Sequence, residues 1–139
     1  MTINTPLFSV VTITRNNLAG LKKTAQSIES QTCADYEWIV IDGASTDETA
    51  KFLSAKNIFF YSEPDQGIYD AMNKGIERAR GKYLIFMNAG DRFAEETILA
   101  RVEHIITEKA SDLLYGDATE GNGIHSFYKT AKPETSIDF

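Results

Sequence analysis

Three apolar runs in the chain each end in residues whose side chains carry oxygen or nitrogen. The runs are residues 10–13, 38–41 and 83–87, and they are followed by Thr14-Arg15-Asn16, Asp42-Gly43-Ala44-Ser45 and Asn88-Ala89-Gly90-Asp91. In an α/β sheet of parallel strands, ligands bind outside the edge formed by the carboxyl ends of the strands. We therefore expect these hydroxyl, amide, guanidinium and carboxylate groups to meet at one edge.

Asp42 is a candidate for binding a nucleotide. Its carboxylate could accept hydrogen bonds from a base or a ribose, and Thr12, Thr14 and Asn16 could frame the same ligand from the neighbouring strand. A second interpretation stays open, in which Asp42 and Ser45 only cap the turn and the helix that follow.

Asp91 is a candidate for binding a metal ion. Mg²⁺ and Mn²⁺ prefer oxygen ligands, and Mg²⁺ usually takes only one or two carboxylates from the protein. Asp91 could therefore hold either cation against a diphosphate. Because Asp91 precedes Arg92, it could instead be a helix N-cap or one half of a surface ion pair.

Apolar periodicity predicts an alternation of strands and helices. Strands are predicted at residues 8–14, 36–42, 58–62 and 83–87, with weaker candidates at a sheet edge at 113–115 and 124–128. Helices are predicted between these strands and at residues 98–106, one starting at a capping box of Ser45 and Glu48 and another ending at Gly81 as its C-cap. Four β-α units with short connections predict an α/β fold with a mostly parallel sheet flanked by helices on both faces.

The composition is that of an ordinary folded domain and argues against several classes of partner. The 139 residues are 42% hydrophobic and 24% charged, which favours one domain over residues 1–139. The 14 basic and 20 acidic residues give a net charge of -6, whereas proteins that bind nucleic acid or anionic membranes need a basic face. No apolar run approaches the roughly 20 residues of a membrane span, and the first residues do not resemble a secretion signal. We therefore expect a cytoplasmic location.

Several kinds of catalytic site are absent from the sequence. No glycine-rich turn follows the first predicted strand, so the dinucleotide fingerprint and the P-loop are missing. There is no Gly-x-Ser-x-Gly nucleophile elbow, and the only histidines are His104 and His125. The single cysteine, Cys33, rules out an intramolecular disulfide. Hydride transfer and triad hydrolysis are therefore not supported.

Four stretches of the sequence together resemble the family-two glycosyltransferases, which have the Rossmann-like nucleotide-diphospho-sugar transferase fold. The stretches are residues 8–16, 39–49, 63–76 and 81–91, and their order and spacing follow the family over roughly residues 8–93. The resemblance implies an enzyme that moves a sugar from a nucleotide-diphospho-sugar donor to a saccharide or lipid-linked acceptor in cell-surface polysaccharide synthesis. It also implies Mg²⁺ or Mn²⁺ as the cofactor and proximity to a membrane only through the acceptor.

The resemblance assigns roles to individual residues. It implies that Thr12, Arg15 and Asp42 help to bind the nucleotide, Asp42 through the base. It places Asp70, Asn73 and Lys74 near the diphosphate or the sugar, and Asp91 near the metal. With the other strand-end residues, the predicted nucleotide-binding set is Thr12, Thr14, Arg15, Asn16, Asp42, Ser45, Asp70, Asn73 and Lys74.

The sequence departs from the family pattern at the metal-binding motif. The usual motif is Asp-x-Asp, whereas Asn88 stands in the first acidic place and Gly90 in the second, which leaves Asp91 as the carboxylate. Met72 stands where many members have arginine. This variant resembles the branch near capsule and colanic-acid enzymes, and we interpret it as a working variant with a weaker metal site.

The resemblance implies an inverting displacement in which a carboxylate removes the proton of the acceptor hydroxyl. The family's base lies beyond its metal motif, where this chain has Asp112 and Asp117 before Asp138. Asp117 is the candidate base, although its position after Leu114-Tyr115-Gly116 favours a turn residue. We interpret residues 1–139 as a donor-binding domain whose acceptor half is short or missing.

Two other functions remain as alternatives. The chain could be a module that holds a nucleotide-sugar without turnover. It could also be a receiver-type signalling domain with Asp42 as phosphoacceptor. The second alternative requires an acidic pair after the first strand and a lysine after a late one, where this chain has Thr14-Arg15-Asn16 and Asn88.

Overall fold

The computed structural model describes residues 5–109, 113–116 and 128–131. Strands and helices alternate along the chain as β1 (Phe8–Thr14), α1 (Leu18–Glu29), β2 (Tyr36–Asp42), α2 (Thr49–Ala55), β3 (Phe59–Ser62), α3 (Ile68–Arg78), β4 (Tyr83–Phe86), α4 (Ile98–Lys109), β5 (Leu113–Gly116) and β6 (Tyr128–Ala131). The first four strands form one parallel sheet in the order β3-β2-β1-β4. None of the described helices is long and apolar enough to cross a membrane.

The register of the sheet brings three strand ends into one row. Thr14 is opposite Asp42, and Asp42 is opposite Ser62. β4 ends at Phe86, one residue earlier than predicted, but the chain continues beside β1 because Ala89 N–H donates to the carbonyl of Ile13 at 3.0 Å. The polar residues that follow β1, β2 and β4 therefore lie at the same edge, as the sequence predicted.

Helices cover both faces of the sheet because strand side chains alternate between the faces. On one face Val40 packs with Leu21 of α1 and Leu53 of α2, and Phe8 packs with Leu99 of α4. On the other face the side chains of Val11, Ile39 and Ile41 pack against Ala71 of α3. The predicted α/β class, with a mostly parallel sheet between helices, is confirmed.

The predicted capping box at Ser45 and Glu48 is wrong. α2 begins at Thr49 after the N-cap residue Glu48, and Glu48 makes no side-chain cap hydrogen bond. The Thr49 N–H instead donates to the carboxylate of Asp47 at 3.1 Å. Ser45 is not available to the helix because its side chain and its N–H both donate to Asp42.

The predicted C-cap at Gly81 is also wrong. α3 ends at Arg78, and its C-cap residue, Ala79, is already extended with ψ at 136°. Gly81 lies two residues before β4, and its N–H donates to Ser9 Oγ at 2.8 Å. A Cβ on Gly81 would lie 2.7 Å from the backbone of Phe8, so the glycine permits close approach of the chain to β1.

The two strands that follow α4 pair with each other. β5 and β6 form an antiparallel two-stranded sheet that is separate from the parallel one. β5 agrees with the predicted strand at 113–115, whereas β6 begins at Tyr128, the last residue of the predicted strand at 124–128. Residues 124–127 lie outside the described part of the chain.

Candidate functional site

An open cleft of about 290 Å³ lies at the carboxyl edge of the parallel sheet. Its walls come from the end of β1, from the segment between β3 and α3, and from the segment after β4. The lining residues are Ile13, Thr14, Arg15, Asp65, Gly67, Ile68 and Asn88. The cleft thus joins three predicted strand-end residues, Thr14, Arg15 and Asn88, to the loop that precedes α3.

Thr14 carries a buried polar atom that lacks a partner. The residue is 3% exposed, and its Oγ1 has no hydrogen-bond partner among the described residues. Leaving a buried hydroxyl unsatisfied costs about 1–3 kcal/mol. Thr14 lines the cleft, but the hydroxyl oxygen is itself buried, so a bound molecule would reach it only after the surrounding side chains move.

Asp42 is buried at the end of β2 and is fully engaged with the protein. It is 1% exposed. Its Oδ2 accepts hydrogen bonds from Ser45 N–H at 3.1 Å and from Ser62 Oγ at 2.7 Å, and its Oδ1 accepts one from Ser45 Oγ. These contacts agree with the capping interpretation of the turn after β2. Because Asp42 is buried, the predicted hydrogen bond to a base requires the side chains that cover its carboxylate to move.

Two other predicted binding residues also have partners within the protein. Asn16 has φ at 48°, its N–H donates to Ser45 Oγ at 2.8 Å, and its Oδ1 accepts from Thr46 N–H at 2.7 Å. Asn16 and Ser45 thereby tie the loop after β1 to the loop after β2. Thr12 is 0% exposed, and its Oγ1 accepts a hydrogen bond from Trp38 Nε1 at 2.8 Å, so it lies in the core away from the cleft.

Arg15 is exposed and lines the cleft beside a carboxylate that the sequence analysis missed. A Cβ placed on Gly43 would lie 2.7 Å from Asp65 Oδ2 and 3.5 Å from Arg15 Cδ, so both side chains pass close to this glycine. Asp65 Oδ1 accepts a hydrogen bond from Gly67 N–H at 3.1 Å. Asp65 follows the end of β3 by three residues, and the rule that selected Asp42 and Asp91 would have selected it too.

Lys74 is held by the loop that carries Asp65. Its Nζ lies 3.1 Å from Glu63 Oε1 and 3.6 Å from Asp70 Oδ2, and it donates to the carbonyl of Pro64 at 2.9 Å. Burial tends to lower the pKa of Lys74, but the hydrogen bond and charge of Glu63, together with Asp70, raise it above the ordinary value. Lys74 therefore stays protonated and fastens the loop to α3.

Asp70 and Asn73 also lie on α3 rather than in the lining of the cleft. Asp70 Oδ2 accepts a hydrogen bond from Gln66 N–H at 2.9 Å, so it fixes the same loop as Lys74. Asn73 is exposed. Their predicted contacts with the diphosphate or sugar stay predictions.

Asp91 closes a tight turn with Asn88. Its N–H donates to the Asn88 carbonyl at 2.9 Å, and its Oδ2 accepts from Asn88 N–H at 3.1 Å. Gly90 has φ at 106°, a conformation that side-chain-bearing residues rarely adopt. This backbone geometry explains why glycine stands in the second acidic place of the family motif.

The described residues fit a metal ion that takes most of its ligands from water and substrate phosphates. They do not fit one that is held by protein side chains alone. Within the described ranges, no three His, Cys, Asp or Glu side chains converge. Asp91 is exposed, and the side chain of Asn88 at the cleft is a second oxygen donor. Mg²⁺ commonly keeps several waters and binds one or two carboxylates together with substrate phosphates, which agrees with this donor set.

The predicted catalytic base cannot be placed. Asp117 lies outside the described residues, as does Asp112. The role of Asp117 stays a prediction.

The sequence matches one family over most of its length. Residues 9–132 match glycosyl transferase family 2. The chain is 43% identical over 122 residues to a PGL/p-HBAD biosynthesis glycosyltransferase of Mycobacterium tuberculosis, covering 81% of this chain and 46% of that protein. It is 30% identical over 107 residues to the putative teichuronic acid biosynthesis glycosyltransferase TuaG of Bacillus subtilis, covering 73% of this chain and 42% of TuaG. The chain therefore belongs to glycosyl transferase family 2, as predicted, and spans less than half the length of these relatives.

Solved structures share the fold. S. aureus TarS 1–349 superposes with a TM-score of 0.73 at 22% identity, covering 85% of this chain and 38% of that one. The mannosyltransferase PcManGT from Pyrobaculum calidifontis, in complex with GDP-Man and Mn²⁺, gives a TM-score of 0.68 at 21% identity, covering 76% of this chain and 34% of that one. Family membership leaves the receiver-type alternative without support.

Proposed function

We propose that this chain carries the donor-binding part of a glycosyltransferase that moves a sugar from a nucleoside-diphospho-sugar to a saccharide or lipid-linked acceptor. The observation that supports this most directly is the cleft at the carboxyl edge, which is lined by Thr14, Arg15 and Asn88. Two relatives are named for PGL/p-HBAD and teichuronic acid biosynthesis, which supports a role in making a cell-surface glycolipid or polysaccharide.

The nucleotide is proposed to bind along the side of the cleft formed by Thr14, Arg15 and Asp65. A guanidinium pairs with phosphate oxygens through two parallel hydrogen bonds, and a threonine hydroxyl both donates and accepts. The carboxylate of Asp65 can accept hydrogen bonds from a ribose hydroxyl or from an N–H of the base. Asp42 joins this set only if the side chains that cover its carboxylate move.

Asp91, with Asn88, is proposed to hold Mg²⁺ or Mn²⁺ against the diphosphate. When bound, the cation would neutralise charge that develops on the leaving diphosphate. The mannosyltransferase structure that contains Mn²⁺ and GDP-Man supports this assignment. With one protein carboxylate, the affinity for the cation alone is expected to be low.

The proposed transfer is an inverting displacement. The acceptor oxygen forms a bond to the anomeric carbon, and the bond between that carbon and the diphosphate oxygen breaks with its electron pair going to the diphosphate. The acceptor proton goes to a carboxylate, for which Asp117 is the candidate. Thr14 and Arg15 contribute by holding the donor in one orientation at the cleft.

Binding of nucleoside diphosphates tests the proposal. UDP and GDP would be titrated into the chain by calorimetry, with Mn²⁺ and with EDTA, and ligand at about 100 times its Kd should stabilise the fold by roughly 2.7 kcal/mol. Arg15→Gln should weaken binding strongly. The matched control is Lys51→Gln, which removes the same charge from an exposed position on α2 and should bind as the unaltered chain does.

If neither nucleoside diphosphate binds in the presence of Mn²⁺, the proposal is wrong. If both variants bind equally well, the cleft is not the site. Binding of a nucleotide-sugar without transfer to any acceptor would favour the alternative of a non-catalytic binding module.

A further inference from the structure

The segment that joins β4 to α4, residues 87–97, contains no helix or strand. Several of its backbone groups bind side chains of α1 and of Gln31, which lies two residues after that helix. Ser27 Oγ accepts a hydrogen bond from Phe93 N–H at 2.7 Å, and Gln31 Nε2 donates to the Glu95 carbonyl at 2.8 Å. Thr24 lies one turn before Ser27 and contacts the turn that contains Asp91. The path of the segment is therefore set from α1.

Thr24 binds both sides of the Asn88–Asp91 turn with one hydroxyl group. Its Oγ1 donates to the Asp91 carbonyl at 2.8 Å and accepts from Gly90 N–H at 2.9 Å. It also lies 3.3 Å from the Asn88 carbonyl, which shares the same hydrogen because a hydroxyl has one. Thr24 is 0% exposed, so no solvent competes for these bonds.

The remaining contacts would hold this turn at its other end. Ala89 N–H donates to the Ile13 carbonyl at 3.0 Å, and the Ala89 carbonyl accepts from Asn17 Nδ2 at 3.2 Å. Gly90, with φ at 106°, offers little resistance to rearrangement because glycine populates many backbone conformations. Without the Thr24 hydroxyl, Asp91 loses the hydrogen bond to its carbonyl and keeps its two hydrogen bonds with Asn88.

We propose that Thr24 is a positioning residue for the cation and the diphosphate, because it fixes the turn that carries Asp91 at the edge of the cleft. This inference rests on the proposed function and deepens it at the same site. Thr24 touches neither the cation nor the donor. It acts through the backbone of Gly90 and Asp91, in the way that groups behind metal ligands orient those ligands.

The test compares three variants of the chain by calorimetry with UDP or GDP, whichever the unaltered chain binds. Thr24→Val removes the hydroxyl and keeps the shape, and it should weaken Mn²⁺-dependent binding by about 10- to 100-fold while leaving the weaker binding in EDTA unchanged. Thr24→Ser keeps the hydroxyl and should retain the affinity. Thr49→Val is the matched control, because Thr49 is also 0% exposed and its hydroxyl bonds to Asp47, on α2.

Amide hydrogen exchange at Gly90 gives a readout that needs no ligand. The exchange should accelerate in Thr24→Val and not in Thr49→Val. Unchanged exchange at Gly90, or an equal loss of affinity in the two valine variants, would overturn the positioning role. If the unaltered chain binds UDP or GDP equally well with Mn²⁺ and with EDTA, the cation role of Thr24 is overturned and the proposed function stands. If it binds neither nucleotide, both are overturned.

Discussion

Asp42 and Ser62 end neighbouring strands, and the hydroxyl of Ser62 donates a 2.7 Å hydrogen bond to the buried carboxylate of Asp42. The same carboxylate binds Ser45, which follows β2. Asp42 therefore joins the ends of two strands to a loop, in addition to any contact with a ligand. A loss of nucleotide binding in Asp42→Ala would mix these two contributions.

Ser62→Ala isolates the structural contribution, because it removes the Asp42–Ser62 hydrogen bond and leaves the Asp42 carboxylate in place. The change removes one donor from a buried carboxylate and should lower the free energy of unfolding by about 1–3 kcal/mol, measured by urea denaturation. Ser54→Ala, at an exposed position on α2, should change it by less than about 0.5 kcal/mol. Equal stabilities of the two variants would show that the Asp42–Ser62 bond contributes nothing measurable.

Glu37, at the opposite end of the sheet, makes the free energy of unfolding depend on pH. Burial tends to raise its pKa, but hydrogen bonds from Ser9 and Arg80 and the charge of Arg80 lower it below the ordinary value. A carboxylate whose pKa is lower in the folded state stabilises the fold at pH values above its unfolded pKa, about 4.3. This stabilisation is lost as the pH falls through the folded pKa.

The Glu37→Gln variant should therefore be less stable than the unaltered chain at pH 7, and the gap should narrow as the pH falls below about 4. Urea denaturation at a series of pH values measures this difference. Glu77→Gln, at an exposed position on α3, should follow the unaltered chain throughout. A gap for Glu37→Gln that stays constant from pH 7 to pH 3 would contradict the prediction.

The two departures from the Asp-x-Asp motif should respond differently to restoration of the carboxylate. Asn88→Asp places a carboxylate at an exposed position that lines the cleft, and it should strengthen Mn²⁺-dependent nucleotide binding. Gly90→Asp places a side chain at φ of 106° and should cost about 1–3 kcal/mol of stability. Calorimetry measures the effect of Asn88→Asp, and urea denaturation measures the effect of Gly90→Asp. A Gly90→Asp variant as stable as the unaltered chain would contradict the explanation from the φ of Gly90.

The strand ends could be predicted from the sequence because a buried parallel strand has a local signature, a short apolar run followed by polar residues. Thr14, Arg15 and Asn88 were located at the cleft edge in this way. The fold class followed from the alternation of such runs with helical periodicity. The family motifs added the expectation of a donor site, which the local patterns alone could not supply.

The rest depends on contacts between residues far apart in the chain. Thr24 precedes the turn that it holds by more than 60 residues, and no local pattern marks its hydroxyl as different from that of any helical threonine. The capping box failed for a similar reason, because Asp42 competes with the helix for Ser45. The resemblance places Lys74 near the diphosphate or the sugar, and this stays a prediction. Its contacts with Glu63 and Pro64 could not be predicted from the sequence, because the folded loop brings them to it.

The ion pairs of Lys74 have a consequence for the proposed binding of a diphosphate donor at the cleft. Two carboxylates, Glu63 and Asp70, already offset the single charge of Lys74. Among the described residues that line the cleft, Arg15 is the one cation, and the carboxylate of Asp65 faces it across Gly43. These residues therefore supply no net positive charge to balance a diphosphate, which brings at least two negative charges. A divalent ion bound at Asp91 would supply this positive charge.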